Sequence, residues 1–267
     1  LIEQGLVLVG GAIADKPARM VSRAEPVELL GAPPRFVGRG GEKLQAALER
    51  FSIDPSGLRA LDAGASTGGF TDCLLQAGAR QVIAVDVGHG QLHQRLRGDR
   101  RVINLERLDI RQVDLDTVDG NPVNMAVADL SFISASRAVP VLVGPVVMPG
   151  APVIILAKPQ FEAGKAEASK GKGVIRDPEI HRRTLGEVAS ALEAAGAVIM
   201  GAMPSPITGS AGNVEFLIHA LAPGRPGSDV TPLGGAGSGH QDLPALLDAV
   251  VAEAHGSGPT PGAGPEE

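Results

Sequence analysis

Short apolar runs recur along the middle of the chain with little to interrupt them. They are Leu58-Arg59-Ala60-Leu61-Asp62, Gln81-Val82-Ile83-Ala84-Val85-Asp86, Val102-Ile103-Asn104-Leu105, Met125-Ala126-Val127-Ala128-Asp129 and Val153-Ile154-Ile155-Leu156-Ala157. Runs of this length with few polar positions read as strands buried on both faces. Helical spacing appears between and around them. Arg39-Gly40-Gly41-Glu42-Lys43 opens an amphipathic helix through Leu44, Leu48 and Phe51, and Pro55-Ser56-Gly57 breaks it. Phe70 to Gln76 reads as a helix ended at Gly78, and Pro178 to Ala195 as a longer one N-capped by Asp177. Val198 to Met203 and Val214 to Leu221 look like a closing strand pair. The βαβ rhythm predicts an α/β fold with a doubly wound, mostly parallel sheet.

The flanks read differently. Residues 1–31 form a small piece: a last helical turn at Leu1-Ile2-Glu3-Gln4-Gly5, then a hairpin of Leu6-Val7-Leu8-Val9, Gly10-Gly11 and Ala12-Ile13-Ala14. A basic turn follows at Lys16-Pro17-Ala18-Arg19, and another strand at Val27-Glu28-Leu29-Leu30. Residues 32–38 are a linker stiffened by Pro33 and Pro34, and 39–221 are the main domain. Residues 222–267 are Gly/Pro/Ser-rich, with one short apolar helix from Leu243 to Ala254, and read as largely disordered.

Composition narrows the chemistry. Hydrophobic residues are 43% of the 267 but aromatics only 2%, with no Trp or Tyr, so aliphatic side chains must build the core. Six Phe leave little for the stacking platforms that grip single strands. The single Cys73 forms no internal disulfide and reads as a core filler. Residues 138–157 are uncharged over about a membrane's length, but Pro140, Pro145, Pro149 and Pro152 divide them into a helix, a turn and a buried strand. With no basic-then-apolar leader, the expectation is a soluble, cytoplasmic protein with no membrane partner. A first residue of Leu reads as a fragment, or as a processed or misassigned start.

Net charge is −6, and residues 222–267 hold one arginine against six acids. Within the remainder, residues 95–111 carry six Arg against three acids, and 158–176 carry four Lys and one Arg against two. Such local stripes can hold phosphates, or can be solvated loops.

The strongest local signal is Asp62-Ala63-Gly64-Ala65-Ser66-Thr67-Gly68-Gly69, followed by Phe70. Small residues let backbone approach a ligand, and the next helix offers its positive end. Ser66 stands where a dinucleotide loop has its middle glycine, and an acid closes the strand, which suits a ligand with an ammonium. Asp86 ends the next strand, where carboxylates accept ribose hydroxyls, and Asp109 follows the third, within reach of an adenine amine. Together they imply S-adenosylmethionine; the alternative is a dinucleotide site lacking its full glycine pattern.

Four charges also punctuate apolar runs: Lys43, Asp129, Lys158 and Glu215. Charge at such places is expensive unless paired or used. Lys158 and Asp129 end adjacent strands at the carboxyl edge, whereas Lys43 and Glu215 must be folded in from either side. Two readings stand: a proton-handling site, or two salt bridges stitching helix and last strand to the sheet. His89, His93 and His181 lack metal spacing and read as surface residues, so no metal is expected.

Five ordered strings carry a resemblance: Arg39 to Leu44, Asp62 to Thr71, Ala128 to Ser134, Lys158 to Glu162 and Gly212 to Glu215. Over about residues 1–221 the chain resembles the TlyA (hemolysin-A) family of ribosomal RNA 2′-O-methyltransferases, relatives of the FtsJ-type enzymes. The resemblance implies a Rossmann-like class I methyltransferase with a mostly parallel seven-stranded sheet. It implies S-adenosylmethionine as cofactor and cytidine riboses of small- and large-subunit rRNA as substrate. The family's Lys-Asp-Lys-Glu tetrad falls on Lys43, Asp129, Lys158 and Glu215. Arg39, Ser131, Phe132, Gln160 and Phe161 match positions beside it and are candidates for the substrate pocket, or else strand-end packing. Residues 1–31 resemble the second half of an S-four-type RNA-binding module, truncated of its first two helices. The readings set against this enzyme are a non-catalytic RNA-binding or ribosome-assembly factor and a membrane-active hemolysin.

Overall fold

In a computed structural model the chain divides into two compact units, Leu1–Arg35 and Phe36–Glu267. The structure describes residues 2, 6–16, 18–31, 34–164, 167, 169, 171, 173–224 and 242–256. The expected opening helical turn (Leu1, Glu3 to Gly5), Ala32-Pro33 of the linker and most of the tail therefore lie outside the described residues.

In the first unit, β1 (Val7–Val9) pairs antiparallel with both β2 (Ala12–Ile13) and β3 (Val27–Leu29). The β1–β2 turn falls on Gly10 and Gly11, with φ of 59° and 81°, values that glycine adopts without steric cost. Val7, Val9 and Ala14 form its small core.

The second unit holds a seven-stranded sheet. Its strands are β4 (Arg59–Ala63), β5 (Gln81–Asp86), β6 (Val102–Glu106), β7 (Met125–Ala128), β8 (Pro152–Ala157), β9 (Val198–Pro204) and β10 (Phe216–Leu221), in the order β6-β5-β4-β7-β8-β10-β9. All pairs from β6 to β8 are parallel, and β10 runs antiparallel to both its neighbours. Every residue of β4, β7, β8 and β10 is buried, which explains why their runs are apolar but for Arg59 and Asp62 in β4 and His219 in β10. Helices α1 (Gly40–Arg50), α2 (Gly69–Gln76), α3 (Gln94–Arg97), α4 (Val139–Leu142), α5 (Pro159–Glu162), α6 (Pro178–Ala194) and α7 (Leu243–Ala254) are distributed along it. Two cores result. One is built around Leu61, Ile83, Ile155 and Phe216 with α6 and α7, the other around Leu44, Leu74, Met125 and Leu156 with α1 and α2.

The 138–157 segment folds as α4, a turn and β8. Among the described residues no helix is long and apolar enough to cross a membrane. Val214 and Glu215, expected inside the last strand, precede it.

Position within α6 corrects one expectation. His181 is fully buried, not on the surface. With Thr184, Leu185, Val188, Ala189 and Leu192 it forms the inward stripe of the helix. Its Nε2 is 3.2 Å from the Ile175 carbonyl and its Nδ1 is 3.0 Å from Nε2 of His255, just after α7. A carbonyl only accepts, so Nε2 of His181 carries the hydrogen and Nδ1 accepts from His255. Burial pushes the His181 pKa down.

His219 on β10 is also buried, its ring 5.2 Å from that of Phe51, and burial alone pushes its pKa down to about 4. The unfolded chain takes up this proton more readily than the folded one. The stabilisation is therefore present above the unfolded value of about 6.5 and is lost as pH falls toward 4, a change of about 3 kcal/mol. Replacing His219 with Leu should flatten the fall of urea-unfolding stability between pH 6.5 and 4 relative to the parent. Identical pH dependence in the two proteins would show that the imidazole is not responsible.

Candidate active site

Parallel pairing sends the ends of β4, β5, β7 and β8 to one edge of the sheet, bringing Asp62, Asp86, Asp129 and Lys158 to a common rim. Glu215 arrives there by the opposite route. Because β10 is antiparallel to β8, with Phe216 opposite Ala157, its first residues meet the last residues of β8. The residue before β10 thus lies beside the residue after β8. Lys43 comes from α1, which packs against α2. That approach depends on glycine: a Cβ on Gly69 would lie 3.0 Å from the Gly41 nitrogen and 3.1 Å from the Gly40 Cα.

Two ion pairs result. Lys158 Nζ is 2.5 Å from Asp129 Oδ1 and donates to Ser131 Oγ at 3.0 Å. Lys43 Nζ pairs with Glu215 Oε2, and Gln160 Nε2 lies 3.3 Å from the other Glu215 oxygen. Lys43, Lys158 and Glu215 are buried. All four charged residues line one cavity of about 290 Å³, with Arg39, Ser131 and the Gly64–Phe70 loop. The four charges thus form two pairs on one cavity wall: Lys43 of the helix with Glu215 before the last strand, and Lys158 with Asp129 at adjacent strand ends. Paired lysines at a cavity wall can hold and exchange protons with a bound hydroxyl.

A second cavity of about 300 Å³ is lined by Val85, Asp86, Gln91, Asp109, Leu130 and Phe132, among others. Gly64, Ser66, Asp129 and Ser131 line both. Asp86 accepts from the backbone N–H of Ser66 at 2.8 Å and of Gly88 at 2.6 Å. Asp109 is held by Arg111, whose guanidinium keeps the carboxyl down at about 2.

Asp62 is not on either wall. It is fully buried, with Oδ2 accepting the Thr71 hydroxyl at 2.6 Å and Oδ1 without a hydrogen-bond partner among the described residues. Burial pushes its pKa up to about 7; the Thr71 bond opposes this, and Asp129 and Asp86 add to it. Gly64, with φ of 85°, brings the loop so close that a Cβ would sit 2.5 Å from the Asp129 carbonyl oxygen. A backbone cradle that excludes even a methyl group, beside an acid-lined second cavity, fits a nucleoside with a short charged arm.

At the mouth, Phe132 has φ of 68° and is 91% exposed. Its ring is 5.5 Å from Phe161, and Lys158 Nζ is 5.8 Å from the Phe161 ring. The left-handed region is a strained conformation for so bulky a residue. Glu162 fastens this region from behind: it accepts from Ser134 Oγ at 2.5 Å and from the Ala135 N–H at 2.7 Å, so α5 holds the loop carrying Ser131 and Phe132.

These elements correspond to known proteins. The FtsJ-like methyltransferase family model matches residues 36–221. The chain belongs to the FtsJ-like methyltransferase family. The methyltransferase is 44% identical over 219 residues to the 16S/23S rRNA (cytidine-2′-O)-methyltransferase TlyA of Mycobacterium tuberculosis, covering 82% of this chain and 81% of the relative. A solved Streptococcus thermophilus structure carrying a hemolysin name matches with a TM-score of 0.78 and 36% identity, covering 96% of this chain and 88% of that one. An S-adenosylmethionine-dependent methyltransferase of Mesorhizobium loti shares the fold, with a TM-score of 0.50 at 19% identity over 69% of this chain and all of that one.

The arginine stripe is mostly engaged within the methyltransferase. Arg95 pairs with Asp72, Arg97 with Glu106, Arg101 with Asp99 and Arg111 with Asp109, while Arg100 and Arg107 make no ion pair among the described residues. In the other stripe, Lys165, Lys170 and Lys172 lie outside the described residues. Among the described residues no group of His, Cys, Asp and Glu could hold a metal. Sequence reasoning missed Gly209 and Ser210, which line the first cavity from the turn before Glu215. Their signal was the small-residue string Gly209-Ser210-Ala211-Gly212 beside a motif acid.

Proposed function

We propose that this methyltransferase moves a methyl group from S-adenosylmethionine to the 2′-oxygen of a cytidine ribose in ribosomal RNA. One observation carries the reading: the two Lys–acid pairs and the glycine loop wall a single cavity, which shares Gly64, Ser66, Asp129 and Ser131 with the acid-lined second one. The printed activity of the Mycobacterium tuberculosis relative supplies the nucleoside and the RNA.

The second cavity would take the nucleoside, with Asp86 on the ribose hydroxyls and Asp109 at the base. Gly64, Ala65, Ser66, Thr67, Gly68, Gly69 and Phe70 would hold the amino-acid arm, with Asp62 beneath them. When bound, the cofactor supplies an electrophilic methyl carbon on a sulfonium. Asp129 and Ser131 line both cavities and hold Lys158 between them. Lys158 would activate the 2′-hydroxyl by accepting or sharing its proton, with Asp129 beside it to balance the charge. Glu215 and Lys43 fix the ribose opposite. The work is positioning and proton transfer, with no metal step required.

Arg39, Gln160, Phe132 and Phe161 would meet the target nucleotide. Two of only six Phe lie together there, their rings tilted at 49°, and the exposed Phe132 would offer a face on which one unstacked base can rest. The N-terminal sheet would contribute RNA contacts.

The test is incubation of the protein with labelled methyl donor and ribosomal subunits, then nuclease mapping. Label on a cytidine 2′-oxygen is expected. Cofactor binding by calorimetry without any transfer to RNA would favour an assembly factor instead.

A further inference from the structure

Asn213 sits two residues before Glu215 and is buried, 2% exposed, with both ends of its carboxamide hydrogen-bonded. Its Oδ1 accepts from the Ile175 N–H at 2.9 Å, and its Nδ2 donates to the Gly173 carbonyl at 2.8 Å. A carboxamide donates through its nitrogen and accepts through its oxygen at the same time. The clasp joins two stretches without regular structure that have no ladder to hold them. One is the Ser205–Glu215 turn, closed by Gly209 N–H to Asn213 O at 2.8 Å and Ser205 N–H to Glu215 O at 2.8 Å. The other is Gly173–Ile175, ahead of α6.

The second stretch is itself tied down. His181 donates to the Ile175 carbonyl and packs its ring edge-on, 5.4 Å from Phe216, the first residue of β10. Glu215 therefore sits between Asn213 and Phe216, both braced by the 173–181 segment. Neither side-chain hydrogen bond of Asn213 reaches a residue lining the cavity, so its carboxamide acts on the chemistry through the turn that carries Glu215.

We propose that Asn213 is a positioning residue for Glu215: by clasping Gly173 and Ile175 it sets the turn that presents the carboxylate to Lys43, with His181 holding the clasped segment in place. This rests on the reading of Glu215 as a member of the active site. Misplacement of a reacting group by about 1 Å can cost on the order of 100-fold in rate.

The experiment is a double-mutant cycle on the full chain, reading single-turnover methyl transfer to ribosomal subunits, with S-adenosylmethionine affinity by calorimetry. Asn213→Ala should lower the rate about 10- to 100-fold with cofactor affinity within about twofold, and in a Glu215→Ala background it should change the residual rate by less than about twofold. A parent-like rate for Asn213→Ala beside an impaired Glu215→Ala would overturn the proposal. So would the same fold-loss in both backgrounds, which would mean that Asn213 acts elsewhere. A parent-like Glu215→Ala enzyme would instead remove Glu215 from the active site, a different result from either. Should Asn213→Ala fail to fold, two variants answer the same question. Asn213→Asp keeps the Ile175 bond and loses the one to Gly173. His181→Phe keeps a ring against Phe216 and loses the bond to Ile175. Each should slow transfer in the parent and leave the Glu215→Ala background unchanged.

Discussion

Lys158→Ala should reduce methyl transfer by about 1000-fold, in the range expected for loss of a positioned proton acceptor, while S-adenosylmethionine still binds. The geometry favours separating the two properties: Lys158 lines only the first cavity, and Asp86 and Asp109 of the second lie elsewhere, with Asp129 the one acid common to both. Alanine also leaves Asp129 without its cation, and breaking a buried pair can cost about 3–5 kcal/mol. Asp129 is 22% exposed and keeps access to water, so the penalty should be smaller. Lys158→Arg gives the sharper result. A guanidinium pairs with Asp129 as well as an ammonium does but does not give up its proton near neutrality. If Lys158 were only a salt-bridge partner, the arginine enzyme would work and the alanine enzyme would be unstable. If it handles the proton, both are inactive and the arginine protein stays folded with cofactor affinity intact. Single-turnover rates, thermal melting and calorimetry on the three proteins distinguish these cases. An active arginine enzyme would end the proton-transfer role.

Half of this site was legible from strand ends alone. Asp129 and Lys158 each close an apolar run, and parallel strands deliver their closing residues to one edge. Lys43 and Glu215 were not, because their arrival depends on tertiary facts. An antiparallel last strand reverses which end meets the rim, and a glycine-on-glycine contact lets α1 approach α2. Their place in apolar runs marked them as charges to be paired or used, but only the resemblance of whole motifs joined them to Asp129 and Lys158.

Phe132 shows the converse. Within Leu130-Ser131-Phe132-Ile133 it looks like core, and nothing in composition marks it as the residue left in solvent with a left-handed backbone. His181 is different again, since the helical period of α6 places it at the head of the buried stripe. Its burial could have been read by spacing it against Leu185, Val188 and Leu192 and setting aside its polarity. For α7 the apolar stripe Leu247, Val250 and Val251 was visible. Its seat against α6 and β9 was not, because ion pairs such as Arg182–Asp248 depend on residues far apart in sequence.

Gly64→Ala should abolish measurable S-adenosylmethionine binding, an expected loss of at least about 100-fold, equivalent to roughly 2.7 kcal/mol. Two costs combine. With φ of 85° the backbone lies where an L side chain is strained by about 1–2 kcal/mol. The added Cβ would also meet the Asp129 carbonyl oxygen at 2.5 Å and its carbon at 3.0 Å, both rigid backbone atoms. Either the loop lifts into the cavities it borders or Asp129 shifts away from Lys158, and both outcomes damage the wall that the two cavities share. Gly90→Ala is the matched control. Its φ of 71° carries similar strain, but no atom lies within 4 Å of the new methyl, and it lines neither cavity. Calorimetry should find parent-like affinity in Gly90→Ala, with a modest drop in melting temperature. A Gly64→Ala protein that binds the cofactor as the parent does would mean that the loop is not the cofactor's seat, and the second cavity would then need another occupant.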